Sequence, residues 1–279
     1  MKQLTLELLF QLFGISAASG LIYNDDTIHV ITDDSTYLYH YDINNEVLTK
    51  TPLSDYYYGR ENIEKEIKPD FESITQTASN FYIFGSGSKQ NRIDLVEVHK
   101  LTNDVVSVQQ LDILYESMKS FAQIDDEDFN IEGAVYDKDI WYFFNRGNGP
   151  QHKNGIFIVE GESIIDNFRI TFVPIKLPKL NKVQTSFTDA VKVDDYFYFL
   201  AAAENTNSNY DDGVIEGTII GRINTKNLKL DKVKTISTTN KFEGITLYKN
   251  TDNQLEFLLC EDPDDPNKNT GIYKLSFKK

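Results

Sequence analysis

The sequence predicts an all-β fold built from repeated four-stranded antiparallel sheets, and three observations predict it. A short motif recurs as SGLIY at Ser19, FESIT at Phe71, IEGAV at Ile131, FTDAV at Phe187 and FEGIT at Phe242. Each copy opens the same succession of polar turn, aromatic-rich strand, loop and third strand. The last unit lacks a fourth strand, and an unassigned strand stands at the N-terminus. Aligning Ser19, Glu72, Glu132, Asp189 and Glu243 gives spacings of 53, 60, 57 and 54 residues, so five units fill the 279-residue chain.

Within each unit the first strand runs from the motif into a turn rich in Asn, Asp and Lys (NDD, TASN, YDKD, KVDD, YKNTDN). The second strand carries the aromatics: TIHVIT, FYIFGS, IWYFFNR, YFYFLAA and LEFLLCE. The third reads YLYHYD, LVEVHKL, GIFIVEG, TIIGRIN and GIYKLSF, and the fourth, in four units, VLTKTPL, VVSVQQLD, RITFVPIKL and LDKVKTIS. LTLELLFQL, before the first motif, sits where a fourth strand belongs. Pairing it with the C-terminal strands closes a ring and removes the open edge. Such sheets around an axis make a β-propeller: five blades is the reading, with six the alternative if a long connection hides a degenerate blade. Two connections read as helical, GRENIEKEI at 59–67 and LYESMKSFA at 114–122. The whole of 1–279 is expected to form one propeller domain.

Composition narrows the partners. Lys and Arg number 28 against 43 Asp and Glu, a net charge of −15, which argues against nonspecific binding to nucleic acid or anionic membrane. No run of 18 apolar residues exists to span a bilayer. The N-terminal segment has signal-peptide ingredients, but Glu7 and Gln11 interrupt it and Leu4, Leu6, Leu8, Phe10 and Leu12 alternate as in a strand, so mature chain is the preferred reading. The single cysteine, Cys260, lies in the apolar run LEFLLC and reads as an inert buried thiol. It excludes an intramolecular disulfide and any Cys-based zinc cluster. A cytoplasmic location is favoured; a disulfide-free periplasmic or secreted protein fits the same composition.

Propeller geometry gathers candidate residues on one face, because the first strand starts where the second ends. The first-strand position contributes Glu72, Glu132, Asp189 and Glu243, with Ser19 in the first blade. Second-strand ends contribute Asp33, Asp34, Ser86, Ser88, Arg92, Arg146, Glu204, Glu261 and Asp262. Four converging acids repel unless compensated, and a hard cation such as Ca²⁺ held by Glu72, Glu132, Asp189 and Glu243 would compensate them. The structural alternative has each carboxylate accepting backbone N–H groups of the next blade, with Gly20, Gly133 and Gly244 letting the inner strands crowd together. Arg146, in FFNRGNG, reads either as a clamp for phosphate or carboxylate or as the partner of a ring acid, and the second is favoured.

Other motifs give less. FGSGSKQNR lacks the full phosphate-loop pattern. NTNSNYDDGVIE has Tyr210 where a calcium loop of the EF-hand type needs glycine, and EDPDDPNKNTG reads as a plain turn. His29, His40 and His99 lie within strands, His152 lies in a loop, and no HExxH or GxSxG occurs. A carboxylate pair for glycoside hydrolysis is supported only by analogy of fold.

The E-G and E-S starts of the inner strands, with KPDFESI, NIEGAV and NRGNG, resemble the phytase-like β-propellers. That group includes the esterase-like activity of phytase and SdiA-regulated families, and the nearest likeness is to an uncharacterised bacterial branch. The resemblance implies an axial site, often linked in that group to Ca²⁺ and phosphoesters. Two departures stand against it: five units rather than six blades, and no matching cluster of basic and acidic catalytic residues, so no catalytic residue is carried over. Three functions follow as expectations. The first is binding of a small ligand or cation at an acidic channel mouth by Glu72, Glu132, Asp189, Glu243 and Arg146, flanked by Arg92, Glu204 and Glu261. The second is Ca²⁺-dependent hydrolysis of phosphoesters or related esters. The third is a protein-interaction scaffold whose acidic ring is structural.

Overall fold

A computed structural model describes residues 1–53, 60–206, 213–263 and 269–279. The N-terminal strand β1 spans Lys2–Leu12. Blade one comprises β2 (Ala18–Asn24), β3 (Thr27–Thr32), β4 (Tyr37–Asp42) and β5 (Val47–Pro52). Blade two comprises β6 (Phe71–Gln76), β7 (Asn80–Gly85), β8 (Asp94–His99) and β9 (Val105–Gln110), followed by helix α1 (Asp112–Ala122). Blade three comprises β10 (Ile131–Asp137), β11 (Ile140–Asn145), β12 (Gly155–Ser163) and β13 (Asn167–Pro174). Blade four holds β14 (Lys179–Leu180), β15 (Val183–Val193), β16 (Tyr196–Asn205), β17 (Val214–Asn224) and β18 (Leu230–Ser237), and blade five β19 (Lys241–Asn250), β20 (Gln254–Asp262) and β21 (Thr270–Lys278).

Every blade is an antiparallel meander, so the five-bladed propeller read from the repeats is the fold observed. The fourth strand of blade five is β1, which pairs with β21 from Lys2 opposite Lys278 to Leu12 opposite Thr270. Inner strands β2, β6, β10, β15 and β19 pack against one another in a closed ring. That ring explains the hydrophobic gradient along each unit. Inner strands are buried through most of their length, whereas outer strands such as β5 and β9 are largely exposed and polar. The wedge between diverging sheets widens outward, and aromatic rings fill it: Phe84 with Phe143 (5.1 Å), Phe144 with Phe187 (5.3 Å), Tyr198 with Phe257 (5.2 Å).

Glycine is required where inner strands touch. A Cβ on Gly133 would stand 3.2 Å from the Asp189 Cα, and one on Gly244 would stand 3.0 Å from the Gly20 Cα and 2.6 Å from the Cys260 sulfur. Cys260 is wholly buried in the apolar cluster of blades one and five.

Of the two expected helices, the second is α1, which buries Leu114, Tyr115 and Met118 and donates from the Tyr115 hydroxyl to the Gly85 carbonyl (2.7 Å). Residues 60–67 instead hold only one turn, at 65–67, where the amides of Ile67 and Lys68 both reach the Glu64 carbonyl (3.0 Å each). Pro69 disfavours helical backbone at Lys68, and so short a segment cannot recover the cost of nucleation. Residue 59 lies outside the described residues, as do 207–212 and 264–268, within the two loops weighed as calcium loops. Among the described residues no helix is long and apolar enough to cross a membrane.

Candidate functional site

The channel mouth is organised by a β-bulge that recurs in all five blades. Pairing between the first and second strands slips by one residue at Ser19, Glu72, Glu132, Thr188 and Glu243, leaving each outside the ladder. The equivalent residue in blade four is therefore Thr188, and the alignment on Asp189 is corrected by one position. Asp189 pairs with Leu200, where the other blades place Gly20, Ser73, Gly133 and Gly244. Its carboxylate accepts the amides of Ala190 (2.7 Å) and Ile245 (2.8 Å), tying β15 to β19. Burial pushes this carboxyl well above the usual range, and the two N–H groups oppose that rise. Asp189 thus adopts the inter-blade structural arrangement. Ser19 and Thr188 also join neighbouring blades, donating to the carbonyls of Phe71 (2.5 Å) and Phe242 (2.8 Å).

Three glutamates are left facing a shared interior, and buried cations of the chain itself accompany them. In blades three to five, the Arg146 guanidinium contacts Glu132 (3.1 Å) and Glu204 (2.5 Å) and lies 3.7 Å from Glu243. Lys241 lies 3.1 Å from Glu243 and 3.3 Å from Asp262. Asn130 donates to Glu132 (2.7 Å). In blades one and two, Lys68 bridges Asp33 and Asp70, the latter at 2.9 Å. Arg92 (2.8 Å) and the Ser86 hydroxyl (2.5 Å) hold the other Asp70 oxygen, and Arg92 also reaches Ser88 (3.0 Å). Glu261 turns away from this interior and accepts from Asn240 (2.6 Å) and Tyr273 (2.9 Å) inside blade five. Arg146 therefore pairs with ring acids, and its role as a free anion clamp is not the arrangement seen.

Seven carboxylates (Asp33, Asp70, Glu72, Glu132, Glu204, Glu243, Asp262) thus share four cations (Lys68, Arg92, Arg146, Lys241). The imbalance falls on Glu72. It is 8% exposed, and among the described residues nothing hydrogen-bonds or ion-pairs with its carboxylate. Burial, and then the charges of Glu132, Asp70, Asp33 and Glu243, raise its proton affinity well above the ordinary range. Burial lifts Glu132 to about 7 despite Arg146, and lifts Glu243 despite Lys241. Burial also pushes Asp70 upward, but Lys68 and Arg92 bring it below its usual value. The two carboxyls, two residues apart, are thus driven in opposite directions, Asp70 toward the charged form and Glu72 toward the neutral one. Among the described residues, the buried cluster atoms Asn130 Oδ1, Arg146 Nε and Glu243 Oε1 lack hydrogen-bond partners.

The sequence reading missed Lys68, Asp70, Asn130 and Lys241. A signal for three of them existed: Asp70, Asn130 and Lys241 each stand two residues before a bulge glutamate, a polar position that repeats with the motif. As for metal ligands, the described residues bring oxygens of Asp33, Asp70 and Glu72 within 4.8 Å of one another. Only Glu72 belongs to the expected set of four.

Fold and site together define a five-bladed β-propeller with a buried, net-acidic charge cluster at its channel mouth. The chain belongs to a family of unknown function, DUF6929, whose match covers residues 14–277. Among curated proteins none is detectably similar. Among solved structures, the glutaminyl cyclase of Myxococcus xanthus is 9% identical, with 97% of this chain and 96% of that chain covered and a TM-score of 0.54. A luciferin-regenerating enzyme is 9% identical, with 98% and 95% covered and a TM-score of 0.50. At these identities the likeness shows the fold alone. These neighbours support a propeller, and neither they nor the family match singles out the phytase-like group.

Proposed function

We propose that the channel mouth binds a small ligand that presents a positive charge or several hydrogen-bond donors to Glu72. The observation that carries this reading is the Glu72 carboxylate itself, set among acids at the channel mouth and given no hydrogen bond or ion pair by the described residues. A ligand that covers this carboxylate takes away its water, and leaving it unpaired would then cost roughly 1–3 kcal/mol, so the ligand must bring a donor of its own. An ammonium, a guanidinium or the hydroxyls of a polyol supply such donors. Because the proton affinity of Glu72 is raised, a cationic ligand competes there with a proton, so its affinity rises with pH.

Ca²⁺ is the harder-cation version of the same reading, with Asp33, Asp70 and Glu72 as its donors. Ca²⁺ takes six to eight oxygens, and two of these carboxylates already hold Lys68, so the metal would have to displace an ammonium. Hydrolysis of phosphoesters, the activity associated with phytase-like propellers, needs cations free to meet the phosphoryl oxygens. Lys68, Arg92, Arg146 and Lys241 are each engaged by the chain's own acids. A purely structural ring leaves Glu72 without explanation. These comparisons favour an organic cation or a polyol.

Thermal unfolding of wild type and Glu72→Gln tests the proposal, with EDTA, Ca²⁺, a panel of amines and a panel of polyols. A ligand at 100 times its Kd stabilises the folded state by about 2.7 kcal/mol. An amine or polyol that raises the wild-type midpoint and fails to raise that of Glu72→Gln supports the reading. Ca²⁺ acting in that way replaces it with the metal version. Equal responses of the two proteins to every compound refute both.

A further inference from the structure

A second feature lies far from the channel, at the outer edge of blade four. Segments 176–182 and 226–234 contain seven lysines and one acid, Asp231, in a chain of net charge −15. Asp231 is engaged by Arg222, and Lys226 by Asp195. Lys176, Lys179, Lys182, Lys229, Lys232 and Lys234 are exposed, and among the described residues no carboxylate lies within ion-pair distance of them. The Met1 ammonium responds to this concentration of charge. Burial, then Lys232, Arg222, Lys234 and Lys2, lower its proton affinity.

Among the lysines is a groove of about 420 Å³ whose floor is apolar, with Leu177, Leu180, Ile219 and Val233, and whose lining also includes Lys176 and Lys179. Its outer wall is β18, the last strand of its sheet, which among the described residues has no strand paired on its outer side. Alternation sorts the side chains of this strand. Val233 and Thr235 stand opposite Gly221 and Ile219, on the groove side facing blade three. Lys232 and Lys234 stand opposite Arg222 and Ile220, on the side facing blade five. A strand added to this edge would therefore meet an apolar groove rimmed by Lys176 and Lys179 on one face, and Lys232 and Lys234 on the other.

We propose that β18 is a docking edge for an acidic peptide segment that adds as a further strand, with alternating apolar and carboxylate side chains. Main-chain hydrogen bonds supply affinity in such strand addition and side-chain alternation supplies specificity. Opposite charges across neighbouring strands stabilise the pair, and like charges oppose it. The same lysines thus prevent two copies of this chain from pairing edge to edge, the common use of lysine on an edge strand, while an acidic strand is accepted. An apolar groove beside a free strand edge gives nothing to nucleic-acid phosphates, so a peptide fits better than a polyanion.

Titration calorimetry at low salt, with a capped seven-residue peptide alternating glutamate and valine, tests this. Binding is expected to weaken about tenfold, or about 1.4 kcal/mol, in the Lys232→Glu/Lys234→Glu double variant, whose side chains are exposed and whose melting should match wild type. Bound peptide should also slow hydrogen exchange of the outward amides of β18. No binding at millimolar peptide would overturn the proposal. So would equal affinity of a peptide with the same residues in blocks, or of the charge-reversed protein. Binding of phosphatidylserine vesicles in place of the peptide would assign the patch to anionic surfaces and overturn it as well.

Discussion

Replacing Arg146 by methionine should unfold the charge cluster, and the size of the effect follows from its contacts. The guanidinium is 6% exposed, makes hydrogen-bonded ion pairs at 3.1 and 2.5 Å, and lies 3.7 Å from a third glutamate. Removing one partner of a buried pair leaves uncompensated charge and costs roughly 3–5 kcal/mol. The loss is a large share of the roughly 5–15 kcal/mol that stabilises a folded protein. Protonation relieves part of it. Burial already lifts Glu132 to about 7, and without Arg146 it rises further. The folded variant then holds a proton that the unfolded chain has released, so its stability falls as pH rises above the ordinary carboxylate range. Each such group contributes about 1.4 kcal/mol per pH unit. Urea unfolding at pH 6 and pH 8, followed by fluorescence of Trp141 in the same blade, reads the difference. A loss below about 1 kcal/mol at pH 8, or one no larger at pH 8 than at pH 6, would refute the assignment of Arg146 as the counter-ion of this cluster.

Two further perturbations separate the acids by role. Glu72 has a folded proton affinity well above its unfolded value, so its contribution is fully present below the ordinary carboxylate range and is lost as pH rises through the raised value. Glu72→Gln should therefore match wild type near pH 4 and gain on it with each pH unit above, by up to about 1.4 kcal/mol per unit; a gap that does not widen between pH 5 and pH 8 contradicts this. Asp189→Ala should cost about 1–3 kcal/mol by leaving the Ala190 and Ile245 amides buried without an acceptor. Asp189→Asn keeps an acceptor and should cost less, and neither change should alter ligand binding at Glu72; chemical denaturation and titration of both variants check this.

The sequence disclosed the architecture because each blade repeats one pattern and only strands satisfy it. Motif spacing, the aromatic second strands and the orphan strand at Lys2–Leu12 all led to the ring observed. The site was legible in part. Glu72, Glu132 and Glu243 do gather at the channel mouth, with Arg146 among the latter two. Asp189 was misplaced because an alignment that follows charge overlooks register: Phe187 matches Phe71, Ile131 and Phe242, and the residue after each of these is the bulge. Lys68 and Lys241 escaped notice because repetition draws attention to like residues, whereas these cations are where blades differ. Glu261 looked like a site residue by its place at the end of β20, but only strand pairing tells which of Glu261 and Asp262 faces Lys241. The helix expected at 59–67 gives way over 60–67 because Pro69 disfavours helical backbone at Lys68, a local effect that outweighs the helix-favouring residues of so short a segment.

The joining of β1 to β21 also sets an order of events during synthesis. Strand β1 is made first and finds its partner last, since Lys2 lies opposite Lys278. At roughly 5–20 residues per second, its leucines wait on the order of tens of seconds before that partner emerges. Blades one to four can each form as soon as their own strands appear, because their pairings are local. Blade five alone spans the chain, so its completion is a slow, late and all-or-none latch, and a nascent chain stalled short of β21 would hold four blades and a loose apolar strand that invites a chaperone.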